Sequence, residues 1–215
     1  MASPFLVLVE GRDDREVCLH LLRRHGIETV TVLEKGGYPS LLESILTVKQ
    51  SDLEVFAIVV DADLNLESRW AELSHKIRSL GYETCPKQPD PRGTIISKAN
   101  WPLLGVWIMP DNTAMGKLEH FVAALIPEGD PLWPRAQQSV QDIPQEHRKF
   151  KEGILPKATI HTWLAWQEEP GTKMGEALGK KYLDPKTVSG ELFIAWIRRM
   201  LEQKPSFQSE PNILG

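Results

Sequence analysis

Cysteine is scarce in this sequence, with two among 215 residues, and Cys18 and Cys85 lie far apart without a CxxC spacing. Neither a disulfide scaffold nor a cysteine-based zinc site is therefore expected. Long apolar runs are missing as well. The N-terminal run FLVLV ends at Glu10, which makes it too short for a signal peptide or a membrane span. We therefore expect a cytoplasmic protein with no membrane partner.

A strong positive charge is also missing. The net charge is −4, and residues 1–145 carry 14 basic against 20 acidic residues, whereas residues 146–215 carry 11 against 9. An acidic front half disfavours nonspecific binding of nucleic acid by charge alone, although bound divalent cations would offset part of the deficit. The best basic surface is HRKFK (147–151) with GKKYLDPK (179–186), for which a solvated face is the other interpretation.

Apolar segments alternate with amphipathic ones in the first part of the chain. The pattern predicts strands over 5–10, 28–34 and 54–63, and helices over 14–26, 40–49 and 68–81. This alternation favours a parallel sheet with helices packed on its faces. We therefore expect an α/β fold of Rossmann-like type, with a mainly parallel sheet flanked by helices.

The rest of the chain changes character after a proline-rich loop. Two further strands are predicted over 94–99 and 103–110, able to form a hairpin, and helices over 116–126, 135–141, 156–167 and 189–201. Proline and glycine in PEGDPLWP mark a boundary. We expect an α/β core over 1–127, a helical C-terminal extension over 128–204 packed on that core, and a flexible tail over 205–215.

Tryptophan is frequent in the predicted C-terminal helices. Trp163, Trp166 and Trp196 lie on apolar helix faces. Base stacking is one use of such side chains, but we expect these three to pack the C-terminal extension onto the sheet.

Acidic residues follow three of the predicted strands, at the point where each strand ends, and Asp111 is the one that follows LLGVWIMP (103–110). Glu10 ends the first strand, and Asp61 and Asp63 end the third, in FAIVVDAD. In open parallel sheets, ligands bind beyond the carboxyl ends of the strands. The two-residue period of a strand puts Asp61 and Asp63 on the same side, and Glu10 can reach them if the two strands are neighbours. Oxygen ligands without cysteine or histidine favour Mg²⁺ or Mn²⁺.

Each of these acids also has a structural interpretation, as a solvated loop residue or a helix cap. For Asp61 and Asp63 we favour function, because two like charges at a buried rim are unfavourable without a cation. In GRDDREV, the spacing of Asp13 and Glu16 fits a capping box, which makes Asp13 the predicted N-cap. Asp14 is then free for another role.

VEGRDD at the end of the first predicted strand and VVDAD at the end of the third resemble the Toprim domain. This domain occurs in topoisomerases, bacterial primases and the overcoming-lysogenization-defect nucleases, and the likeness covers about residues 5–125. With GGYPSLL, GVWIMPDN and GKLEHF added, the chain resembles a group of bacterial Toprim-like proteins related to those nucleases. The segments KATIHTWLAW and PGTKMGEAL extend the resemblance over most of the chain.

The resemblance implies a divalent metal, Mg²⁺ or Mn²⁺, held by acids that also serve catalysis. These acids are Glu10, Asp61 and Asp63. Asp14, four positions after the glutamate, is implied as a ligand of a second ion.

In the related nucleases, a further acid and a lysine complete a two-metal arrangement. The resemblance assigns the acid to Asp111, which follows the strand LLGVWIMP, or to Glu119. It assigns the catalytic lysine to Lys157, and Lys98 and Lys117 are the alternatives.

The leading functional hypothesis is a metal-dependent phosphoryl-transfer enzyme of Toprim type, a nuclease acting on DNA or RNA. One alternative is a non-catalytic Toprim-like binding or sensor module. Such a module would work with a partner such as an ATPase in a defence system, because the chain has no GxxxxGK[ST] motif. The other alternative is a haloacid-dehalogenase-like phosphatase with Asp61 as nucleophile. That family usually carries its motif on the first strand, whereas this one follows the third.

Overall fold

The computed structural model describes residues 4–46 and 53–203. The last positions predicted for the second helix (47–49) and the predicted flexible tail (205–215) lie outside the described residues.

A five-stranded sheet forms the centre of the fold. Its strands are β1 (Phe5–Val9), β2 (Val30–Glu34), β3 (Val55–Asp61), β4 (Thr94–Ile96) and β5 (Leu103–Met109). The order across the sheet is β2-β1-β3-β5-β4. The first four strands in this order run parallel, and β4 runs antiparallel to β5. The predicted Rossmann-like, mainly parallel sheet is confirmed, and the predicted hairpin is the β4–β5 pair.

Helices cover both faces of the sheet. They are α1 (Arg12–Arg24), α2 (Tyr38–Ser44), α3 (Leu66–Ser79), α4 (Leu118–Ala123), α5 (Leu132–Gln141), α6 (Leu155–Ala165), α7 (Met174–Gly179) and α8 (Val188–Gln203). Helix α7 has no counterpart among the predicted helices, because its six residues are too few to show a helical period. Within the described ranges, no helix has both the length and the apolar composition required to cross a bilayer.

Each face of the sheet has its own apolar core, and β3 contributes to both. Val55, Ala57 and Val59 belong to the cluster that includes α1 and the C-terminal helices. Phe56 and Ile58 belong to the cluster formed with α2 and α3. A central strand that is covered on both faces is apolar at every position, which explains the unbroken run in the sequence.

The C-terminal helices pack directly on the sheet. Trp196 and Phe193 of α8 surround Trp107 of β5, with ring centroids 5.6 and 5.2 Å from it. Gly105 permits this approach, because a Cβ at its position would lie 2.2 Å from the sulfur of Met200. Residues before and after position 127, where the sequence predicts the end of the α/β core, therefore belong to one apolar cluster.

The three tryptophans expected to pack the C-terminal extension differ in their burial. Trp163 and Trp196 are fully buried, whereas Trp166 is 41% exposed. Trp163 Nε1 also donates a hydrogen bond of 3.2 Å to Asp130 Oδ1. Trp166 follows the last residue of α6, so it lies beyond the buried face of that helix.

Candidate functional site

The position of the first acidic side chain depends on where α1 begins. β1 ends at Val9, and α1 begins at Arg12 with Gly11 as its N-cap. Asp14 is therefore the third helical residue, and its Oδ2 accepts a hydrogen bond of 3.2 Å from Gly11 N. The prediction that Asp13 is the N-cap is wrong. The short turn after β1 starts the helix two residues earlier than the capping-box pattern indicates.

Glu10 and Asp61 meet at the carboxyl edge of the sheet. β1 and β3 are neighbours, in a register that pairs Val9 with Val59. Asp61 N donates a hydrogen bond of 2.9 Å to Glu10 Oε1. Leu118 N, at the start of α4, donates one of 2.9 Å to Asp61 Oδ1. Three elements, β1, β3 and α4, therefore fix the positions of these two carboxyl groups.

Asp14, Glu10 and Asp61 share this edge, and burial outweighs the favourable charges of Arg69 and Lys117 near Glu10. Burial, with a smaller contribution from Asp14 and Glu10, raises the pKa of Asp61 to about 8. Burial, followed by the Glu10 carboxylate, raises the pKa of Asp14 to about 7. Burial also keeps the pKa of Glu10 above its ordinary value, although the hydrogen bond from Asp61 N opposes this shift. Such a cluster holds protons near neutral pH unless a cation replaces them.

Asp63 differs from Asp61 in its backbone. β3 ends at Asp61, and Asp63 has a left-handed conformation with φ of 55°. Asp63 instead forms an isolated antiparallel bridge with Gly116, through N···O distances of 2.8 and 3.0 Å. The two-residue period therefore stops before Asp63. The strand period that predicted a shared side for Asp61 and Asp63 therefore does not reach Asp63, and the two residues line different, adjoining pockets.

The Asp63 carboxylate is already paired with two cations. It forms ion pairs with Arg69 and, at 2.8 Å, with Lys117 Nζ. Arg69 is in turn held over the ring of Tyr38, with its guanidinium carbon 3.6 Å from the ring centroid. Burial alone would raise the pKa of Asp63, but the hydrogen bonds and charges of Lys117 and Arg69 outweigh burial and lower it.

Two adjoining pockets open at this edge. The first, which we call the acidic pocket, has a volume of about 380 Å³, and its lining includes Asp14, Asp61, Glu119 and Lys157. The second, which we call the Arg69 pocket, has a volume of about 470 Å³, and its lining includes Asp63 and Arg69. Lys117 and Gly153 line both pockets. Lys117 thus stands between the uncompensated acids and the paired one.

Glu119 and Lys157 both lie in the acidic pocket. The Glu119 side chain on α4 is 12% exposed, and its Oε1 lies 3.8 Å from Lys157 Nζ on α6. Lys157 Nζ also lies 3.5 Å from Asp13 Oδ2. Lys98 lies elsewhere, since its Nζ donates to Leu80 O at 3.1 Å. The structure therefore brings Lys157 close to the acids and leaves Lys98 away from them.

Asp111 does not line either pocket. Its Oδ1 accepts hydrogen bonds from Thr113 N, Thr113 Oγ1 and Ala114 N at 2.9, 2.8 and 2.9 Å. Three hydrogen bonds to one oxygen make Asp111 the organiser of the turn that follows β5. The observed role of this side chain is to fold the loop.

Arg69 is the site residue that the sequence did not reveal. It is the fourth residue of α3, whose N-cap Asn65 accepts a hydrogen bond of 2.8 Å from Ser68 N. The sequence feature that could have predicted the ion pair is the spacing of six residues between Asp63 and Arg69. A tight turn into a helix can bring two side chains at this spacing together.

The donor set of the acidic pocket can be compared with the requirements of a metal. In the described ranges, no three acidic, histidine or cysteine side chains are arranged to hold an ion as they stand. The chemistry nevertheless fits a hard divalent cation, because the available donors are carboxylate oxygens. Asp14 Oδ1 is buried and has no hydrogen-bond partner among the described residues. An unsatisfied buried carboxylate oxygen is one that a cation would stabilise.

The fold and the site together define an α/β protein with a cluster of acids at the carboxyl edge of a parallel sheet. Residues 4–202 match the family described as "Protein of unknown function (DUF3226)", and the chain belongs to this family. None of the curated proteins matches it. Among solved structures, it is similar to the "C-terminal region of the Xanthomonas campestris pv. campestris OLD protein phased with mercury". The identity is 16% over 93% of each chain, with a TM-score of 0.42.

Proposed function

We propose that this protein is a phosphoryl-transfer enzyme of Toprim type that depends on Mg²⁺ or Mn²⁺ and acts as a nuclease on DNA or RNA. One observation carries the proposal: Glu10, Asp14 and Asp61 cluster at the carboxyl edge of the sheet, and burial raises the pKa of each. Groups perturbed in this way are typical of functional sites. The resemblance of VEGRDD and VVDAD to Toprim motifs supports the same reading.

Glu10, Asp14 and Asp61 are the residues that would hold the metal. Glu10 and Asp61 each accept a backbone hydrogen bond on one carboxylate oxygen, which orients the group and leaves the other oxygen for a ligand. Glu119 is the acid that we assign to a second ion, because it lines the acidic pocket with Asp14 and Asp61. A divalent ion bound there would supply charge stabilisation and an activated water.

Lysine side chains would bind the phosphate. Lys117 and Lys157 line the acidic pocket, and each has an ammonium group able to offset the charge that develops on a transferred phosphoryl group. Asp63 holds Lys117 at 2.8 Å and so positions it at the boundary of the two pockets. Asp63 becomes a metal ligand, as the Toprim resemblance implies, only if Arg69 and Lys117 release it.

The proposal can be tested with Glu10→Gln and a matched control, Glu28→Gln. Glu28 is an exposed carboxylate just before β2, at the opposite edge of the sheet. Binding of Mn²⁺ is measured by calorimetry, and cleavage is measured on supercoiled plasmid, single-stranded DNA and RNA. We expect Glu10→Gln to weaken Mn²⁺ binding and to reduce cleavage about 100-fold or more, and Glu28→Gln to change neither. A wild-type protein that cleaves none of these substrates with either ion would refute the nuclease.

A second candidate is a non-catalytic module that binds metal or nucleic acid and works with a partner protein such as an ATPase. The observation that favours it is the pairing of Asp63 with Arg69 and Lys117, which removes one acid from the ligand set. In the same experiment, this candidate predicts Mn²⁺ binding that depends on Glu10, with no cleavage of any substrate.

A further inference from the structure

Two large apolar side chains are exposed beside the candidate site. Leu64 is 83% exposed and Met115 is 67% exposed. Single exposed apolar residues are common on protein surfaces. Leu64, however, directly follows Asp63, and Met115 lies two residues before Lys117, which lines both pockets. We call Leu64 and Met115 the apolar rim.

A backbone bridge adjoins the apolar rim. Asp63 and Gly116 exchange two hydrogen bonds, with N···O distances of 2.8 and 3.0 Å, in an antiparallel bridge. Leu64 follows Asp63 and Met115 precedes Gly116, so each rim residue lies one position from this bridge. Leu64 also lines the Arg69 pocket. Both rim residues are therefore attached to a hydrogen-bonded backbone pair beside the candidate site.

Cationic groups lie next to the apolar rim. Lys117 follows Gly116 directly and lines both pockets, while Arg12 and Lys157 line the acidic pocket. A ligand that matches this surface must have an apolar face close to an anionic group, because Met115 of the apolar rim lies two residues from the cationic side chain of Lys117. A nucleotide with an unstacked base does so, since the base has an apolar face and the phosphate is charged. A paired duplex instead presents its phosphates and keeps the base faces stacked.

We propose that Leu64 and Met115 contact unstacked nucleobases, so that the preferred substrate is single-stranded or frayed nucleic acid rather than continuous duplex. This inference rests on the proposed function, because it places the scissile phosphate at the acidic pocket. The rim supplies base contact through apolar side chains that insert beside or between bases, and the lysines hold the phosphate. Sequence-independent binding of single strands is the expected property.

The test compares the double variant Leu64→Ser/Met115→Ser with the control Val188→Ser. Val188 is 78% exposed at the start of α8 and lines neither pocket. All three side chains are exposed, so the thermal unfolding midpoint should stay close to that of wild type. Fluorescence anisotropy is measured with Mn²⁺ on a phosphorothioate single strand of about 20 nucleotides and on the duplex of the same sequence. Mn²⁺ binding to each variant is measured separately.

We expect the double variant to bind the single strand about fivefold more weakly or worse, with duplex binding and Mn²⁺ binding unchanged. Val188→Ser should match wild type in every measurement. Equal weakening on both nucleic acids, unchanged binding of the single strand, or a wild-type protein that binds no single strand would each overturn the inference. The two proposals fail separately. If binding of the single strand depends on the apolar rim but no substrate is cleaved, only the nuclease proposal is contradicted. If metal-dependent cleavage occurs and the rim variant cleaves and binds like wild type, only the inference about the rim is contradicted.

Discussion

Asp61 and Asp63 are two residues apart, yet acidic side chains surround Asp61 and cationic side chains pair with Asp63. Asp61 shares a buried edge with Glu10 and Asp14, and burial raises its pKa to about 8. Asp63 is paired with Arg69 and Lys117, which hold its pKa below the ordinary value despite partial burial. The carboxylate of Asp61 therefore favours binding a proton or a cation, whereas the carboxylate of Asp63 is already neutralised by Arg69 and Lys117.

The difference indicates which carboxylate is available for a new ligand. A carboxylate that already has two cations gains little from a third, whereas an uncompensated cluster gains a large stabilisation from one divalent ion. The acidic pocket is therefore the place where a metal would bind most favourably. Under the proposed function, Asp63 would act instead through Arg69 and Lys117, with which it forms ion pairs. This contrast between the two aspartates can be tested.

The largest expected effect comes from Asp61→Asn compared with Asp63→Asn. Asp61→Asn removes a charge from the proposed ligand cluster, so we expect metal-dependent cleavage to fall about 100-fold or more. Asp63→Asn removes the partner that orients Lys117 and Arg69, and we expect a fall of about 10-fold to 100-fold. Rates are measured at saturating Mn²⁺ on a single-stranded substrate. Equal losses in the two variants would show that Asp63 is a direct ligand.

The next effect is on stability as a function of pH, measured by thermal unfolding in EDTA. The folded pKa of Asp61 lies near 8, above its unfolded value of 3.8, so the native state holds the proton longer than the unfolded state. The stability contributed by this group is full below about pH 4 and is lost as pH rises toward 8. Asp61→Asn removes this loss. Its melting temperature should rise relative to wild type by about 10 °C between pH 5 and pH 8.

Asp63→Asn should show the reverse sign in the same measurement. The folded pKa of Asp63 is lowered, so its contribution is present above the unfolded value of 3.8 and is lost as pH falls through the folded pKa. The variant should therefore melt below wild type at pH 8.

Addition of Mn²⁺ at pH 8 should raise the melting temperature of wild type and leave that of Asp61→Asn nearly unchanged. If the melting temperatures of Asp61→Asn and Asp63→Asn depend on pH in the same way, the proposed contrast between the two aspartates is contradicted.

A smaller effect is expected for Lys117→Met, which removes the cation between the two pockets. Loss of a positive charge next to the acids should leave Mn²⁺ binding as tight as in wild type or tighter, because the ion is no longer repelled. Cleavage should fall about tenfold if Lys117 holds the phosphate. Lys98→Met is the control, since Lys98 contacts Leu80 O and the ring of Trp101. Weaker Mn²⁺ binding in Lys117→Met would count against this assignment.

The sequence was sufficient to predict the sheet because its signals are local. β3 is buried on both faces, so its apolar run is continuous, and the helices that follow are amphipathic. The error at Asp63 has a different cause, because a distant part of the chain decides the local geometry there. Asp63 leaves the strand period because it bridges to Gly116, which lies more than fifty residues away in the sequence. No pattern around DAD contains that information.

The smallest expected effect belongs to Asp111→Asn, which separates a loop role from a metal role. An amide oxygen can still accept hydrogen bonds from Thr113 N, Thr113 Oγ1 and Ala114 N, so the turn should be retained. Mn²⁺ affinity and cleavage should stay within about twofold of wild type, since Asp111 Oδ1 is engaged in its own turn. Calorimetry and the cleavage assay measure the two quantities. A loss of affinity near that of Asp61→Asn would show that Asp111 leaves its turn to join the metal site when the ion binds.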